Sequence, residues 1–200
     1  VIRDKLSNLE KFLHAEDEID PLIKLATLHY QFEAIHPFVD GNGRTGRIIN
    51  ILFLVEKGLL DTPILFLSHY ILRTKSSYYK GLRSVTESKA WIDWVMYMLE
   101  AIETTALETK QRVTNILTAM DTAKELVKAK APKIYSKDLI ETIFEHPYCK
   151  IRFLEQAGIA MRQTAATYLK TLEKIGLLRN VKIGREQYYI NDELVKALSK

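Results

Sequence analysis

One cysteine, Cys149, stands in a chain of 200 residues. A lone thiol closes no disulfide within the chain and builds no cysteine-based metal cluster, so secreted disulfide scaffolds and Cys-rich zinc modules are excluded. Long apolar runs are missing too: no stretch reaches the ~18–20 residues that a membrane-spanning helix needs, and no signal peptide opens the chain. Both absences suit a protein of the reducing cytoplasm. An excess of one charge is equally missing, since 29 Lys and Arg face 25 Asp and Glu for a net of +4. The chain as a whole is therefore not a polycation, although a local basic face remains open. The first residue is Val1 rather than Met, so the chain reads as part of a longer protein, with features that belong upstream lying before it.

What is present is a globular composition, 47% hydrophobic and 27% charged, at a mass that accommodates one ordinary domain plus a small module. The spacing predicts a mainly α fold. From Val1 to about residue 131, Pro and Gly fall only at breaks. Asp20–Pro21 reads as a helix cap and first helical position, and the apolar period then runs to Ile35. The helix should stop there, because His36 precedes Pro37 and a residue before proline is pushed out of the helical region. "RTGRIINILFLVEKG" predicts a second helix ending near Gly58, and Ile48 to Val55 is so evenly apolar that it should sit at the centre of a bundle. Further helices are expected over 68–73, 75–86 and from 90 to about 130. We divide the chain into a helical bundle over 1–111, a linker helix over 112–132 and a second domain over 133–200, where Pro132 marks the change to short helices and a hairpin. No internal repeat or low-complexity tract is visible.

The densest chemistry lies in "HPFVDGNGRTGR", His36 to Arg47, which holds three of the chain's eight glycines. Gly41, Gly43 and Gly46 let the backbone turn tightly and approach a ligand where a helix begins. Free N–H groups and the positive end of the helix dipole make that start an anion site. Arg44 and Arg47, three apart, should emerge from one face of the same first turn, and two guanidinium forks beside an anion nest suit a polyphosphate better than one carboxylate. Asp40 adds a hard oxygen ligand. Mg²⁺ is usually held by one or two carboxylates plus the substrate's phosphates, so a single aspartate can serve. Asn42 offers an amide donor for a phosphate oxygen. His36 is the one group in the loop able to take a proton near neutral pH. Nest, clamps, metal ligand and base are what phosphoryl or nucleotidyl transfer to a hydroxyl requires.

This stretch resembles the signature of the Fic (filamentation induced by cAMP) domain family, and the likeness extends over roughly residues 6–111, including "SSYYKGLRSVTES". The resemblance implies a helical-bundle enzyme, most often a protein adenylyltransferase that moves AMP from ATP onto a Ser, Thr or Tyr hydroxyl and releases pyrophosphate. Position by position, it implies His36 as the base, Asp40 as the Mg²⁺ ligand and Asn42, with Gly41 and Gly43, at the α-phosphate. It places Arg44 on the β-phosphate and Arg47 on the γ-phosphate, and makes Phe38 a buried anchor of the loop. Tyr78 and Tyr79 lie on a stretch near the family's nucleotide site and are candidates for adenine contact beside a core-packing role. The family's upstream target-aligning hairpin and its inhibitory motif have no match here and are expected before Val1. Alternatives are transfer of UMP or phosphate, removal of AMP, or a DNA-binding regulator whose bundle only senses a nucleotide. Candidate partners are a hydroxyl-bearing target protein, the chain itself, and a second copy in a homodimer.

Residues 133–200 hold the whole charge excess, twelve Lys or Arg against eight Asp or Glu. Helix, helix, a longer helix and a hairpin at 183–186 resemble a winged helix-turn-helix. The turn at Gly158 and the apolar spacing of Ala165, Leu169 and Leu172 support it. Arg162, Gln163, Thr164 and Lys170 on the longer helix, with Lys182 and Arg185 on the hairpin, are then candidate DNA contacts. A protein partner is the other reading of this module.

Overall fold

Asp20 caps its helix as its sequence suggests: its carboxylate accepts the Leu22 N–H at 2.8 Å, with Pro21 supplying the first helical residue. The computed structural model describes residues 1–199 and divides into two compact units, Val1–Thr109 and Lys110–Lys200. The first contains α1 (Ile2–His14), α2 (Pro21–Ile35), α3 (Asn42–Glu56), α4 (Ser68–Arg73), α5 (Lys75–Ser88) and the start of α6 (Trp91–Lys130).

α2 is the axis of this unit. Leu25, Leu28, Phe32 and Ile35 recur at helical spacing and are all buried, and each such side chain contributes roughly 1.5–3 kcal/mol on leaving water. They pack with Phe53 and Leu54 of α3 and with Trp94 and Met98 of α6. Trp94 is fully buried, and its indole N–H donates to the Ala26 carbonyl at 2.8 Å, tying α6 to α2. Lys24, also buried, donates to the Ala15 carbonyl and pairs with Asp17, which closes the turn between α1 and α2.

α3 corrects one expectation. Gly46, Asn50, Phe53 and Leu54 form its buried face against α2, but Ile48 and Leu52 are 56% and 57% exposed. They lie on the opposite side, in line with Arg44, where the helix has no neighbour within the unit. An apolar run without polar punctuation marks the residues that can be buried, and the number of neighbouring helices decides how many are.

The second unit holds the rest of α6, a short 3-10 turn (Pro132–Ile134), α7 (Lys137–Glu145), β1 (Tyr148–Cys149), α8 (Ile151–Gln156), α9 (Arg162–Lys174), β2 (Arg179–Ile183), β3 (Glu186–Ile190) and α10 (Asp192–Ser199). The strands form an antiparallel sheet of order β1-β3-β2, with Asn180 opposite Tyr189 and Cys149 on Tyr189's other side. Helix, helix, longer helix and hairpin follow as expected; β1 and α10 are additions. Ser136 caps α7 through its hydroxyl, and Asn191 caps α10 by accepting the Leu194 N–H. The core joins Leu139, Ile143, Leu154, Leu169 and Leu172 to Ala123 and Val127 of α6 and to Ala131 just beyond it. Much of the stretch read as a linker helix is thus core of this unit. Cys149 is buried here and its thiol is pushed up to about 12 by burial, which keeps it from acting as a thiolate.

Candidate active site

α2 ends where the proline rule places its end. His36 closes the helix with its N–H on the Phe32 carbonyl, and its backbone turns left-handed, φ 50° and ψ 58°. That conformation costs a non-glycine residue roughly 1–2 kcal/mol, and histidine is one of the few residues enriched in it. The turn lifts the His36 side chain clear of the bundle, where it is exposed. Five residues later Gly41 adopts φ +88°, a region glycine alone enters freely, and α3 begins at Asn42. No side chain caps this start; the backbone amides of its first turn remain directed into the loop beside the positive end of the helix dipole.

Asn42 takes a further part beside the one its sequence position suggests. It is 3% exposed, its Oδ1 accepts the Phe38 N–H at 2.9 Å, and its Nδ2 donates to the Phe38 carbonyl at 2.6 Å. The amide oxygen and one of the two Nδ2 hydrogens are spent on the loop's own backbone, so Asn42 fixes the curve of residues 38–42 and keeps one N–H as a donor. Phe38 is corrected as well. Rather than a buried anchor, its ring is 49% exposed, with Phe32 as its aromatic neighbour at 6.4 Å. The anchor is Asn42.

The two arginines are held differently. Arg44 donates through Nη2 to Asp40 Oδ2 at 3.0 Å, while Asp40 Oδ1 accepts the Gly41 N–H at 2.7 Å. Both side chains of this pair are largely in solvent, where an ion pair contributes little and exchanges readily for a better ligand. Arg47 instead turns inward and donates through Nε to the Ser68 hydroxyl, at the first residue of α4, at 2.8 Å. Glu33 lies nearby: its Oε1 would sit 3.7 Å from a Cβ placed on Gly43, and Arg47 Nη1 3.1 Å from the same point. That carboxylate oxygen is buried without a hydrogen-bond partner, and burial raises the Glu33 pKa against the opposing pull of Arg47 and His36. Gly46 makes room for it, because a Cβ there would meet Glu33 Oε1 at 2.9 Å and the His29 and Phe32 rings at 3.2 Å. Ser68 and Glu33 carry no signal in the sequence. Glu33 sits one turn before His36 in an ordinary helical pattern, and Ser68 is 21 residues from its partner.

Beneath the loop His29 is 1% exposed, its Nε2 3.0 Å from the Tyr78 hydroxyl and its Nδ1 3.0 Å from the Asn50 amide nitrogen. In that orientation Asn50 Oδ1 is a buried oxygen without a partner. Turning the amide over pairs it with Nδ1–H and leaves Nε2 to accept from Tyr78. Burial first, and then the charge of Arg47, hold the imidazole neutral by lowering its pKa to about 4. Tyr78 is itself buried, so neither its ring nor its hydroxyl is available to an adenine; Tyr79, 57% exposed on the same helix, is.

His36, Asp40, Gly41, Gly43, Arg44 and Arg47 are therefore gathered around the first turn of α3. The remaining candidates lie in the second unit, with Arg162, Gln163, Thr164 and Lys170 exposed on α9, Lys182 exposed on β2 and Arg185 exposed in the turn that follows.

Comparison with known proteins matches residues 1–54 to the Fic/DOC family and residues 119–194 to the C-terminal domain of SoFic-like protein adenylyltransferases. A probable protein adenylyltransferase of Aquifex aeolicus is 37% identical over 87 residues, 44% of this chain and 25% of that one. The Caenorhabditis elegans protein adenylyltransferase fic-1 is 31% identical over 83 residues, 40% of this chain and 15% of its own. The aligned parts are thus a quarter or less of those relatives' lengths. Among solved structures, a Fic family protein from Desulfovibrio desulfuricans G20 superposes with a TM-score of 0.50 at 22% identity, over 94% of this chain and 55% of that one.

Proposed function

We propose that this chain, which matches the Fic/DOC family over residues 1–54 and the SoFic-like C-terminal domain over residues 119–194, is a protein adenylyltransferase, moving AMP from ATP to a Ser, Thr or Tyr hydroxyl of a protein and releasing pyrophosphate. The observation that carries this reading is the placement of a base and two guanidiniums around one uncapped helix start. His36 takes the proton of the target hydroxyl. The freed oxygen forms a bond to the α-phosphorus as the bond from that phosphorus to the bridging oxygen breaks, and the electron pair leaves on pyrophosphate. The backbone amides at the start of α3 hold phosphate oxygens, beside the second Nδ2–H of Asn42. Arg47, already tethered, receives the terminal phosphate; Arg44 gives up its exposed pairing with Asp40 for the β-phosphate.

Asp40 fits a Mg²⁺ site of the kind that relies on substrate phosphates, since its carboxylate is exposed and otherwise occupied only by Arg44 and one backbone N–H. Mg²⁺ bound there supplies neutralisation of the charge that develops on the leaving pyrophosphate. Soluble chemistry of this kind suits the cytoplasm, and among the described residues no helix is long and apolar enough to cross a membrane.

Intact-mass analysis after incubation with ATP, Mg²⁺ and a cell extract as acceptor source tests the transferred group. The expected product carries the mass of AMP, on the chain itself or on a target; a phosphate adduct, or a UMP adduct with UTP alone, assigns the site to another transfer. A smaller effect isolates the clamp. Ser68→Ala removes the acceptor that orients Arg47 Nε, a bond worth about 0.5–1.5 kcal/mol. Steady-state kinetics should show KM for ATP rising about 2- to 12-fold with kcat nearly unchanged; a loss confined to kcat would remove Ser68 from ground-state binding.

A further inference from the structure

The second unit carries a feature that AMP transfer does not use. Between the start of α8, the start of α9 and the β2–β3 hairpin lies an open cleft of about 470 Å³, bordered by Lys150, Arg152, Arg162, Lys182 and Arg185, with Glu155 and Glu186 as its acids. Glu186 is already neutralised: Lys150 Nζ pairs with it at 2.6 Å, the Tyr188 hydroxyl donates to the same oxygen at 2.8 Å, and Lys150 sits 4.1 Å over the Tyr188 ring. Arg152, Arg162, Lys182 and Arg185 have no ion-pair partner among the described residues, and the acids they share the cleft with are Glu155 and the already paired Glu186. Elsewhere in the second domain, residues 133–200, the charges nearly balance, and Asp192 pairs with Arg179, Glu193 with Lys196 and Glu141 with Lys137. The charge excess of the chain is therefore concentrated at this cleft.

α9 borders it and continues the pattern. Ala165, Leu169 and Leu172 are buried, while Arg162, Gln163, Thr164, Thr167, Lys170 and Lys174 are exposed, and the helix's one acid, Glu173, is half-buried. A helix of 13 residues is about 20 Å long, and the major groove of B-form DNA, about 12 Å wide, admits such a helix. Arg and Gln are side chains that read guanine and adenine edges there through paired hydrogen bonds. The hairpin turn at Gly184–Arg185 sets Lys182 and Arg185 beside the helix start. Met161 and Ile183 are the exposed large apolar residues of this face, too few for the apolar, charge-depleted centre of a protein interface.

We infer that the second unit binds duplex DNA, with α9 in the major groove and the β2–β3 hairpin on the flanking phosphates. The surface selects a B-form duplex over RNA, whose major groove is too deep and narrow for a helix to read. The test is fluorescence anisotropy of the full chain, without ATP, on a labelled mixed-sequence DNA duplex between 50 and 200 mM KCl. Four cleft cations plus Lys170 predict a slope of log K against log salt of about −4.5, a loss of roughly 500-fold across that range. Arg162→Ala and Arg185→Ala, both exposed and outside either core, should each make the slope shallower by about 1. Lys137→Ala, whose exposed partner is Glu141 on α7, should leave it unchanged. A salt-independent interaction, slopes unmoved by the two arginine variants, or equal affinity for an RNA duplex of the same sequence would overturn the inference. Salt-insensitive capture of a defined protein through α9 would reassign the surface to protein recognition.

Discussion

His36→Ala should lose the AMP adduct, with the transfer rate falling by roughly 10²- to 10⁴-fold, the range over which a positioned base accelerates proton transfer. The expectation rests on how the residue is held. Its backbone is fixed between the last hydrogen bond of α2 and Pro37, in a left-handed turn that leaves the residue exposed. No phosphate ligand depends on it: the arginines are bound by Asp40 and Ser68, and the loop's curve by Asn42. ATP affinity should therefore survive the substitution, so the loss falls on kcat. Alanine tolerates the left-handed turn less well than histidine, so a change in loop shape could imitate a loss of chemistry. His36→Asn separates the two, because asparagine accepts that backbone and cannot act as the base. Both variants should be equally inactive by intact mass while retaining ATP binding by calorimetry. Labelling at the wild-type rate in either one would remove His36 from the reaction, and loss of ATP binding in both would make it a ligand instead.

The parts of this site legible in the sequence are those set by local rules. Asp20–Pro21 and His36–Pro37 mark the ends of α2 because caps and proline act over a few residues. Gly41 marks the start of α3 because a positive φ there nearly demands glycine. Expectations that needed the third dimension fared otherwise. Asn42 has the chemistry of a phosphate donor, and only the fold reveals that the Phe38 backbone takes its amide oxygen and one of its N–H groups. Tyr78 and Tyr79 are indistinguishable as neighbours in sequence, yet one faces His29 in the core and the other faces solvent. Arg44 and Arg47 share a helical face, but only Arg47 meets a partner from another helix, and neither Ser68 nor Glu33 announces itself at that distance. Ile48 and Leu52 read as core because periodicity reports what a helix could bury, not how many neighbours surround it.

Acid should loosen the first unit through His29, a residue that takes no part in the proposed chemistry. In the folded state its pKa is lowered to about 4 from an ordinary 6.5, chiefly by burial among the Tyr78, Asn50 and Trp94 side chains and then by the charge of Arg47. A depressed histidine is neutral when folded and protonates first when unfolded. Its contribution is therefore complete above pH 6.5, falls as pH drops through that value, and is fully lost only below about 4. The gap corresponds to about 3 kcal/mol, a large share of the stability of an ordinary domain. Glu33 acts in the opposite sense, since its raised pKa lets the folded state take up a proton before the unfolded one does, so the wild-type profile alone mixes the two. His29→Gln removes the titration while keeping a polar side chain. Both tryptophans, Trp91 and Trp94, belong to the first unit, so denaturant unfolding followed by their fluorescence reports on that unit. At pH 7 the variant should be the less stable protein, and the difference should shrink by about 2–3 kcal/mol as pH falls from 7 to 4. Parallel profiles would mean that His29 titrates alike in both states and that its burial costs nothing on protonation. Convergence would make the buried, neutral His29, whose ring lies against Gly46, a contributor to the first unit's stability that is present only while that ring stays uncharged.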